Sequence, residues 1–141
     1  MNGFRNVAFT AFLGWCSALL VLSAQAPAPA VAPGGDQQAR GKALYVAKCS
    51  DCHQESLKGT PESPPLTGDM FWMNWETYTA NNLLEQIRTT MPEDNPGSLM
   101  RQEYVDITAY ILRFNEVPVT GDLPTDADSL KKIIVKMKDA K

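Results

Sequence analysis

The sequence contains few of the residues that usually hold metals or form disulfides. Its 141 residues include one histidine and three cysteines. A structural zinc site usually needs four Cys or His ligands, and Cys16 lies in an apolar N-terminal segment, so the chain is short of ligands for zinc. The 13 basic and 16 acidic residues nearly balance, which excludes the strongly basic surface typical of nucleic-acid binding. No stretch alternates apolar and polar residues for long enough to predict a sheet.

One short stretch combines the two scarce residue types. Residues 49–53 read CSDCH, with Cys49 and Cys52 three positions apart and His53 directly after them. Positions i and i+3 lie on one face of a helical turn, so both thiols can form thioethers with the two vinyl groups of one porphyrin. His53 can then reach the iron from the proximal side. This spacing is the attachment signature of a c-type haem.

The same two cysteines have other chemical uses. A thioredoxin-like redox pair requires a βαβ context, and no run of β-branched residues precedes Cys49. A disulfide between Cys49 and Cys52 stays open but gives His53 no role. Haem attachment accounts for all three residues. We therefore predict one covalently attached haem c, with its iron, per chain, and such a group would supply much of the apolar core that a short chain lacks.

The N-terminal residues 1–26 are predicted to be a secretory signal peptide. Arg5 provides the positive charge, residues 7–22 are mostly apolar, and residues 24–26 (AQA) form a small-x-small cleavage site. The alternative is an uncleaved membrane anchor, for which the apolar run is short. Export agrees with the haem motif because thioether attachment takes place outside the cytoplasm. Residues 27–35 (PAPAVAPGG) are expected to be an extended Pro/Ala/Gly linker.

The rest of the chain shows helical patterns separated by breakers. Residues 54–78 contain too many glycines and prolines for a long helix, although their aromatic side chains indicate packing against something large. Helix-capping residues are expected at Asp36, Thr79 and Ser98. The four predicted helices run to about residue 48, over 80–90, from 99 to about 115, and over 126–138. In the third, an apolar stripe of Ile107, Tyr110, Ile111 and Phe114 is expected to face the core.

The second axial ligand of the predicted haem decides what the protein does. A second histidine is excluded because His53 is the only one. Methionine is the next candidate, and the choices are Met70, Met73, Met91, Met100 and Met137. Pro92 disfavours helical geometry at Met91, so Met91 leaves the helix and can point inward from the start of a loop. We therefore predict iron ligation by His53 and Met91.

With these residues in place, the chain resembles the class I cytochromes c from about Gln37 to Pro118. Gly41 and Tyr45 look like the glycine and aromatic pair of the family's N-terminal helix, and residues 106–110 (DITAY) look like its C-terminal helix motif. In the family these two helices cross tightly. The resemblance implies an all-α, small cytochrome c fold of three to five helices wrapped around one covalently bound haem.

The resemblance also implies two further contacts with the haem and its ligand. Residues 64–68 resemble the P-x-L-x-G stretch that follows the haem motif, so the Pro64 carbonyl would accept a hydrogen bond from Nδ1 of His53, with Pro65 as the alternative. By analogy, the indole N–H of Trp75 would reach a haem propionate, although a packed aromatic explains this residue equally well.

More particular features resemble cytochromes that accompany periplasmic quinoprotein alcohol dehydrogenases. These features are Met91-Pro92, the stretch PGSL at 96–99, AYIL at 109–112 and the tail from Asn115. We expect the cytochrome domain to span 36–118, followed by an extension over 119–141 that ends in a short basic helix. The lysines of this extension are expected in a frayed, solvated tail, at positions 131, 132, 136, 138 and 141. Contact with anionic lipid or with an acidic partner is the alternative.

The sequence thus predicts a periplasmic one-electron carrier and not an enzyme. Its partner would be a dehydrogenase, a terminal oxidase or both, with no nucleic acid, no small-molecule substrate, and a membrane only if the signal is uncleaved. Residues 36–121 hold seven basic and twelve acidic residues, so either a partner recognised by charge is basic, or docking depends on apolar contact around the haem edge. Two alternatives stay open: a stably bound haem subunit of a dehydrogenase or oxidase complex, and a haem enzyme or gas sensor with an open sixth site.

Overall fold

The computed structural model describes residues 36–138; the signal peptide and linker predicted before them lie outside this range. The described residues form six helices: α1 (Gln37–Lys48), α2 (Ser50–His53), α3 (Asp69–Trp75), α4 (Ala80–Thr90), α5 (Arg101–Phe114) and α6 (Ala127–Leu130). The predicted all-α class is confirmed. The count exceeds three to five because α2 and α6 are single turns of four residues. Within residues 36–138, no helix is both long and apolar enough to span a bilayer.

The first and fourth helices begin as their capping residues predict. Asp36 accepts a hydrogen bond from the backbone of Gln38 at 3.1 Å at the start of α1. Thr79 accepts one from the backbone of Asn82 at 3.2 Å, and the Asn82 side chain accepts one in return from the Thr79 backbone at 3.1 Å. This reciprocal pair satisfies two N–H groups that would otherwise lack partners. Local sequence therefore determines where α1 and α4 begin.

The start of α5 and the existence of α3 differ from the expectations. Helix α5 begins at Arg101 rather than at residue 99, because the carboxylate of Glu103 accepts a hydrogen bond from the backbone of Met100 at 2.8 Å and caps the helix there instead of Ser98. The segment expected to be irregular contains the seven-residue α3. Its glycines and prolines end at Gly68, which stands directly before the helix and does not interrupt it.

The core is built around the crossing of α1 and α5. A Cβ atom at Gly41 would overlap the backbone oxygen of Asp106, so only glycine allows the two helices to approach this closely. Beside the crossing, the rings of Tyr45 and Tyr110 lie 5.3 Å apart, and Arg40 pairs with Asp106 at 2.8 Å. The tight crossing implied by the resemblance is present in the structure. In the apolar stripe predicted on α5, only Phe114 is not buried. It is 41% exposed because it is the last residue of the helix.

The segment after residue 118 is not a frayed tail over its described part. The helix expected over 126–138 is limited to α6, and the chain then runs extended beside the start of α4. Val135 donates a backbone hydrogen bond to Tyr78 and accepts one from Thr77, at 2.8 and 2.9 Å. Val135 and Leu130 are fully buried. The prediction of a lysine-rich helix is wrong, because the buried apolar residues at 130 and 135 pack this segment against the domain.

Candidate haem site

The two cysteines lie on a single helical turn that continues α1. The backbone N–H of Cys49 donates to Tyr45 O at 2.8 Å, which ends α1, and the backbone N–H of His53 donates to Cys49 O at 2.9 Å within α2. Cys49 is half-buried, Cys52 is exposed, and both thiols are free, so they are not bonded to each other. The turn therefore presents two thiols, one helical turn apart, to any group that lies against it.

The thiol of Cys49 is held in its neutral form. Burial, and then the neighbouring Cys52, raise its pKa from the ordinary value to about 11. A low-pKa thiolate is typical of cysteines that act as redox nucleophiles. The raised pKa of Cys49 is unlike that of a thioredoxin-type pair.

His53 is the fixed point of the site. Its side chain is buried, with 6% of the residue exposed, and Nδ1 lies 3.0 Å from the carbonyl oxygen of Pro64. A carbonyl can only accept, so Nδ1 carries the proton in this contact and donates it. The ring is thereby oriented, and Nε2 is left with its lone pair available to a metal. Of the two prolines proposed from the sequence, Pro64 rather than Pro65 makes this contact.

The loop that carries Pro64 is tied closely to His53. The backbone N–H of Gly59 donates to the carbonyl of His53 at 3.0 Å. Gly59 has a φ of +70°, and a Cβ atom there would overlap Ser63 O and lie 2.9 Å from the carbonyl carbon of Pro64. Farther along, the side chain of Asn115, directly after α5, donates to Leu66 O at 2.8 Å. The carbonyl that orients His53 is thus held by the core.

Met91 lies where α4 ends. Its backbone is extended, with φ −129° and ψ 153°, and its N–H still donates to Ile87 O at 2.8 Å. The hydroxyl of Tyr104 on α5 donates to the Met91 carbonyl at 2.8 Å. Met91 is partly buried, whereas the other methionines of residues 36–138 are exposed: Met70 by 45%, Met73 by 78%, Met100 by 69% and Met137 by 48%.

Trp75 is the last residue of α3 and is partly buried. Its ring packs edge-on against Tyr78, with centroids 6.1 Å apart. Within residues 36–138 it makes a ring contact and no side-chain hydrogen bond, so its indole N–H is available to an acceptor such as a propionate. A packed aromatic is equally compatible with this geometry, as the sequence analysis left open.

The predicted residues fit a c-type haem. Two free thiols and an oriented imidazole lie in one continuous segment, and a partly buried thioether follows α4. Among the predicted site residues, His53 and Pro64 contact each other directly, whereas Met91 and Trp75 contact residues outside this set. Sequence reasoning missed Gly59 and Tyr104, which hold the two ligand-bearing segments. A glycine six residues after the motif was a visible signal, but nothing marked the Tyr104 hydroxyl.

Comparison with known proteins agrees with this fit. A family model described as "Cytochrome C oxidase, cbb3-type, subunit III" matches residues 36–111. The thiosulfate dehydrogenase of Psychrobacter arcticus is 38% identical over 80 residues, which cover 50% of this chain and 24% of that protein. The solved sulfane dehydrogenase SoxCD of Paracoccus pantotrophus has a chain that shares this fold, with a TM-score of 0.54 at 21% identity, over 72% of this chain and 53% of that one.

These likenesses define the domain and not a whole enzyme. The chain spans about a quarter of the thiosulfate dehydrogenase and about half of the SoxCD chain. Both are dehydrogenases of sulfur compounds by their names, so the finer resemblance to partners of alcohol dehydrogenases stays a prediction. The family model covers more than half of the 141 residues, and the chain therefore belongs to this family of c-type cytochromes, which are electron-transfer proteins.

Proposed function

We propose that this chain is an exported one-electron carrier that holds a single haem covalently. Cys49 and Cys52 would form the thioethers, and His53 and Met91 would hold the iron. Each thiol adds across one vinyl group, so that its sulfur bonds to one carbon and its hydrogen goes to the next, and no oxidant is needed. The haem supplies reversible one-electron chemistry at its iron.

The single observation that carries the proposal is the orientation of His53. A buried imidazole whose Nδ1 donates to Pro64 O at 3.0 Å presents Nε2 in one direction only. This second partner fixes the tautomer that a metal requires and makes the ring a stronger donor. Because Cys49 and Cys52 lie within the preceding turn, the haem they hold brings its iron to this same histidine.

The case for Met91 is one of burial and backbone direction. A thioether ligand must face the interior, and each of the other described methionines is at least 45% exposed. Tyr104 holds the carbonyl of Met91 from α5, which restricts where its side chain can point. Thioether ligation opposite histidine raises the reduction potential, which suits a carrier that accepts electrons from a dehydrogenase.

The test is the optical spectrum of the exported protein, oxidised and reduced, with and without carbon monoxide. We expect low-spin spectra, a red charge-transfer band of methionine-to-ferric ligation, and no reaction with carbon monoxide. Met91→Ala should lose all three properties. Met73→Ala is the matched control, because Met73 is 78% exposed, and it should leave the spectra unchanged.

Two results would contradict the proposal. Ready binding of carbon monoxide by the wild type would show an open sixth site and favour a ligand-binding or peroxidatic haem protein. Unchanged spectra in Met91→Ala would assign the sixth ligand elsewhere. Mass spectrometry of the denatured protein tests separately whether the haem is covalently attached, because a covalent haem adds its mass to the chain and a dissociable one does not.

A second candidate function is that of a tightly bound haem subunit of a dehydrogenase. It is favoured by the two relatives named above, each a dehydrogenase much longer than the stretch this chain matches. Co-purification with a second protein at high salt would favour this candidate, whereas a monodisperse small protein would favour the freely diffusing carrier. In both cases the electron partner lies in the periplasm.

A further inference from the structure

Charge is distributed very unevenly along the described chain. Residues 36–130 hold seven basic and fifteen acidic residues, whereas residues 131–138 hold four lysines and no acidic residue. All four lysines are exposed. Lys131 pairs with Asp128 at 3.1 Å, and the others are Lys132, Lys136 and Lys138. An otherwise acidic domain thus has one basic edge, formed by residues 131–138.

The basic edge is held in place by the domain. Its backbone forms three hydrogen bonds with the segment that leads into α4: Ala80 N to Ile133 O at 2.8 Å, Thr77 N to Val135 O at 2.9 Å, and Val135 N to Tyr78 O at 2.8 Å. Val135 is fully buried. Lys131, Lys132 and Lys136 therefore lie on or directly beside a hydrogen-bonded backbone, and less conformational entropy is lost when they meet a partner.

Apolar side chains are exposed at the same edge. Ile134 is 45% exposed, Met137 is 48% exposed and Tyr78 is 53% exposed. Tyr78 belongs to this edge because its backbone carbonyl accepts the hydrogen bond from Val135. Aromatic and methionine side chains are enriched at protein-binding surfaces, and charges around them steer the approach of a partner.

We propose that the basic edge, together with Tyr78, docks an acidic surface of the protein with which this cytochrome exchanges electrons. The overall charge of residues 36–121 predicted a basic partner, but charge recognition is local, and at this edge the complementary surface is acidic. Tyr78 packs against Trp75 at 6.1 Å, so a partner docked here lies beside the aromatic that is a candidate propionate contact. This inference rests on the proposed function.

A protein partner is favoured over a membrane by this location. A redox partner gains from docking next to the candidate haem contact, whereas a lipid surface gains nothing from it. The edge also combines four lysines with three exposed apolar side chains, which lie on two separate segments and are not aligned on an amphipathic helix.

The experiment measures electron transfer by stopped flow between the haem-loaded protein and two redox proteins of known charge. An acidic flavodoxin and basic mitochondrial cytochrome c serve as the probes. The variant is Lys132→Glu/Lys136→Glu. Its matched control is Lys42→Glu/Lys48→Glu, which makes the same change in net charge at two exposed lysines of α1.

We expect the edge variant to react with flavodoxin on the order of tenfold more slowly at low salt, and the control less than about threefold more slowly, because local charge steers docking more than net charge does. The difference should vanish at high salt. The neutral pair Lys132→Gln/Lys136→Gln should fall between the edge variant and the wild type. With basic cytochrome c, the edge variant should not react more slowly than the control variant.

Two outcomes would overturn the inference. Equal slowing of the edge variant and the control would show that only net charge matters. Lysine-dependent co-sedimentation with vesicles containing anionic phosphatidylglycerol, without a selective change in the flavodoxin rate, would assign the edge to a membrane. The optical spectrum and reduction potential are measured beside the kinetics and should be the same in all variants. A failure of the proposed function would appear there, and a failure of this inference only in the rates.

Discussion

The two segments that carry the proposed iron ligands of this cytochrome are built differently. His53 is a buried residue at the end of a turn whose other residues are partly or fully exposed, and the loop after it returns to hold both its backbone and its ring, through Gly59 and Pro64. Met91 stands at the edge of an exposed loop, in which residues 93–98 are all exposed. On this side one hydroxyl joins the two ends of the loop: Tyr104 donates to Met91 O at 2.8 Å and accepts from Leu99 N at 3.4 Å.

This difference teaches which ligand the fold holds more firmly. Local opening of a protein begins where backbone hydrogen bonds are exposed and buried contacts are few. The loop after Met91 has these properties, whereas on the other side His53 and Leu57 are buried and hydrogen bonds from Gly59 and to Pro64 hold the segment. We therefore expect the methionine to detach from iron well before the domain unfolds, while the histidine stays in place until global unfolding. The two sides can be compared through one tyrosine hydroxyl on each. Tyr45 donates to Gln54 O at 2.7 Å on the histidine side, as Tyr104 donates to Met91 O on the methionine side.

The largest contrast is expected between two glycines with the same backbone conformation. Gly59 and Gly97 have φ of +70° and +78°. A Cβ at Gly59 would overlap Ser63 O, whereas at Gly97 the nearest atom, Arg88 O, is 3.8 Å away. Gly59→Ala should lower the free energy of unfolding by about 3 kcal/mol or more, from left-handed strain plus overpacking, and Gly97→Ala by about 1 kcal/mol from strain alone.

Urea unfolding of the haem-loaded variants, followed by circular dichroism, measures this contrast. The far-red charge-transfer band is recorded in the same samples and reports methionine ligation. Equal losses of stability at the two positions would show that the histidine loop is as adaptable as the methionine loop, and the comparison would fail.

The next contrast is between the two tyrosine hydroxyls. Tyr104→Phe removes the hydrogen bond to Met91 O and should cost about 1 kcal/mol. We expect this loss to appear as easier methionine detachment, with carbon monoxide binding to the reduced protein at denaturant concentrations where the wild type does not bind it. Tyr45→Phe should cost a similar amount in global stability but leave methionine ligation unchanged.

Carbon monoxide titration of the reduced protein at low urea concentrations distinguishes the two variants. If Tyr45→Phe released the methionine as readily as Tyr104→Phe, the hydroxyl at Met91 would have no special role. The expected asymmetry would also vanish if both variants lost only global stability.

The elements predicted correctly are those whose signal is local. Asp36 and Thr79 cap helices whose apolar faces follow at once, so α1 and α4 could be placed from the sequence. The CSDCH spacing specifies its own turn, and Cys49, Cys52 and His53 lie on one such turn in the structure, while their role in holding a haem stays a prediction. Gly41 could be assigned to a close crossing only through the family resemblance, since a lone glycine has many uses.

The elements that sequence reasoning missed depend on distant partners. Residues 131–138 look like a solvated basic helix, but Val135 pairs with Tyr78, more than fifty residues earlier. Gln37 looks like an ordinary first-turn residue, yet it is 2% exposed and exchanges two hydrogen bonds with the backbone of Leu123. No periodicity encodes such contacts, because they depend on where the rest of the chain lies.

The pH dependence of stability should also differ between the two sides. Burial raises the pKa of Tyr45 above its ordinary value of 10.0. A raised pKa in the folded state means that the contribution of Tyr45 to stability is full below pH 10 and falls as the pH rises above it. Unfolding measured between pH 8 and 11 should show this decline in the wild type and a shallower one in Tyr45→Phe. Identical slopes would contradict the assignment.

The smallest effect is expected at the ion pairs on the methionine side. The hydrogen bond from Arg88, and a second one from Arg101, lower the pKa of Glu85 below its ordinary value of 4.5. Its contribution is therefore present above pH 4.5 and is lost as the pH falls below it. These side chains are 35–41% exposed, so water screens them, and Glu85→Gln should cost only about 0.5 kcal/mol at pH 7. Arg101 on α5 and Arg88 on α4 would lose their shared partner without moving Met91, so the charge-transfer band should stay. If the charge-transfer band weakened in Glu85→Gln, surface charge and not the Tyr104 hydroxyl would hold the methionine loop. The histidine and methionine sides would then differ in their ion pairs and not in their hydrogen bonds.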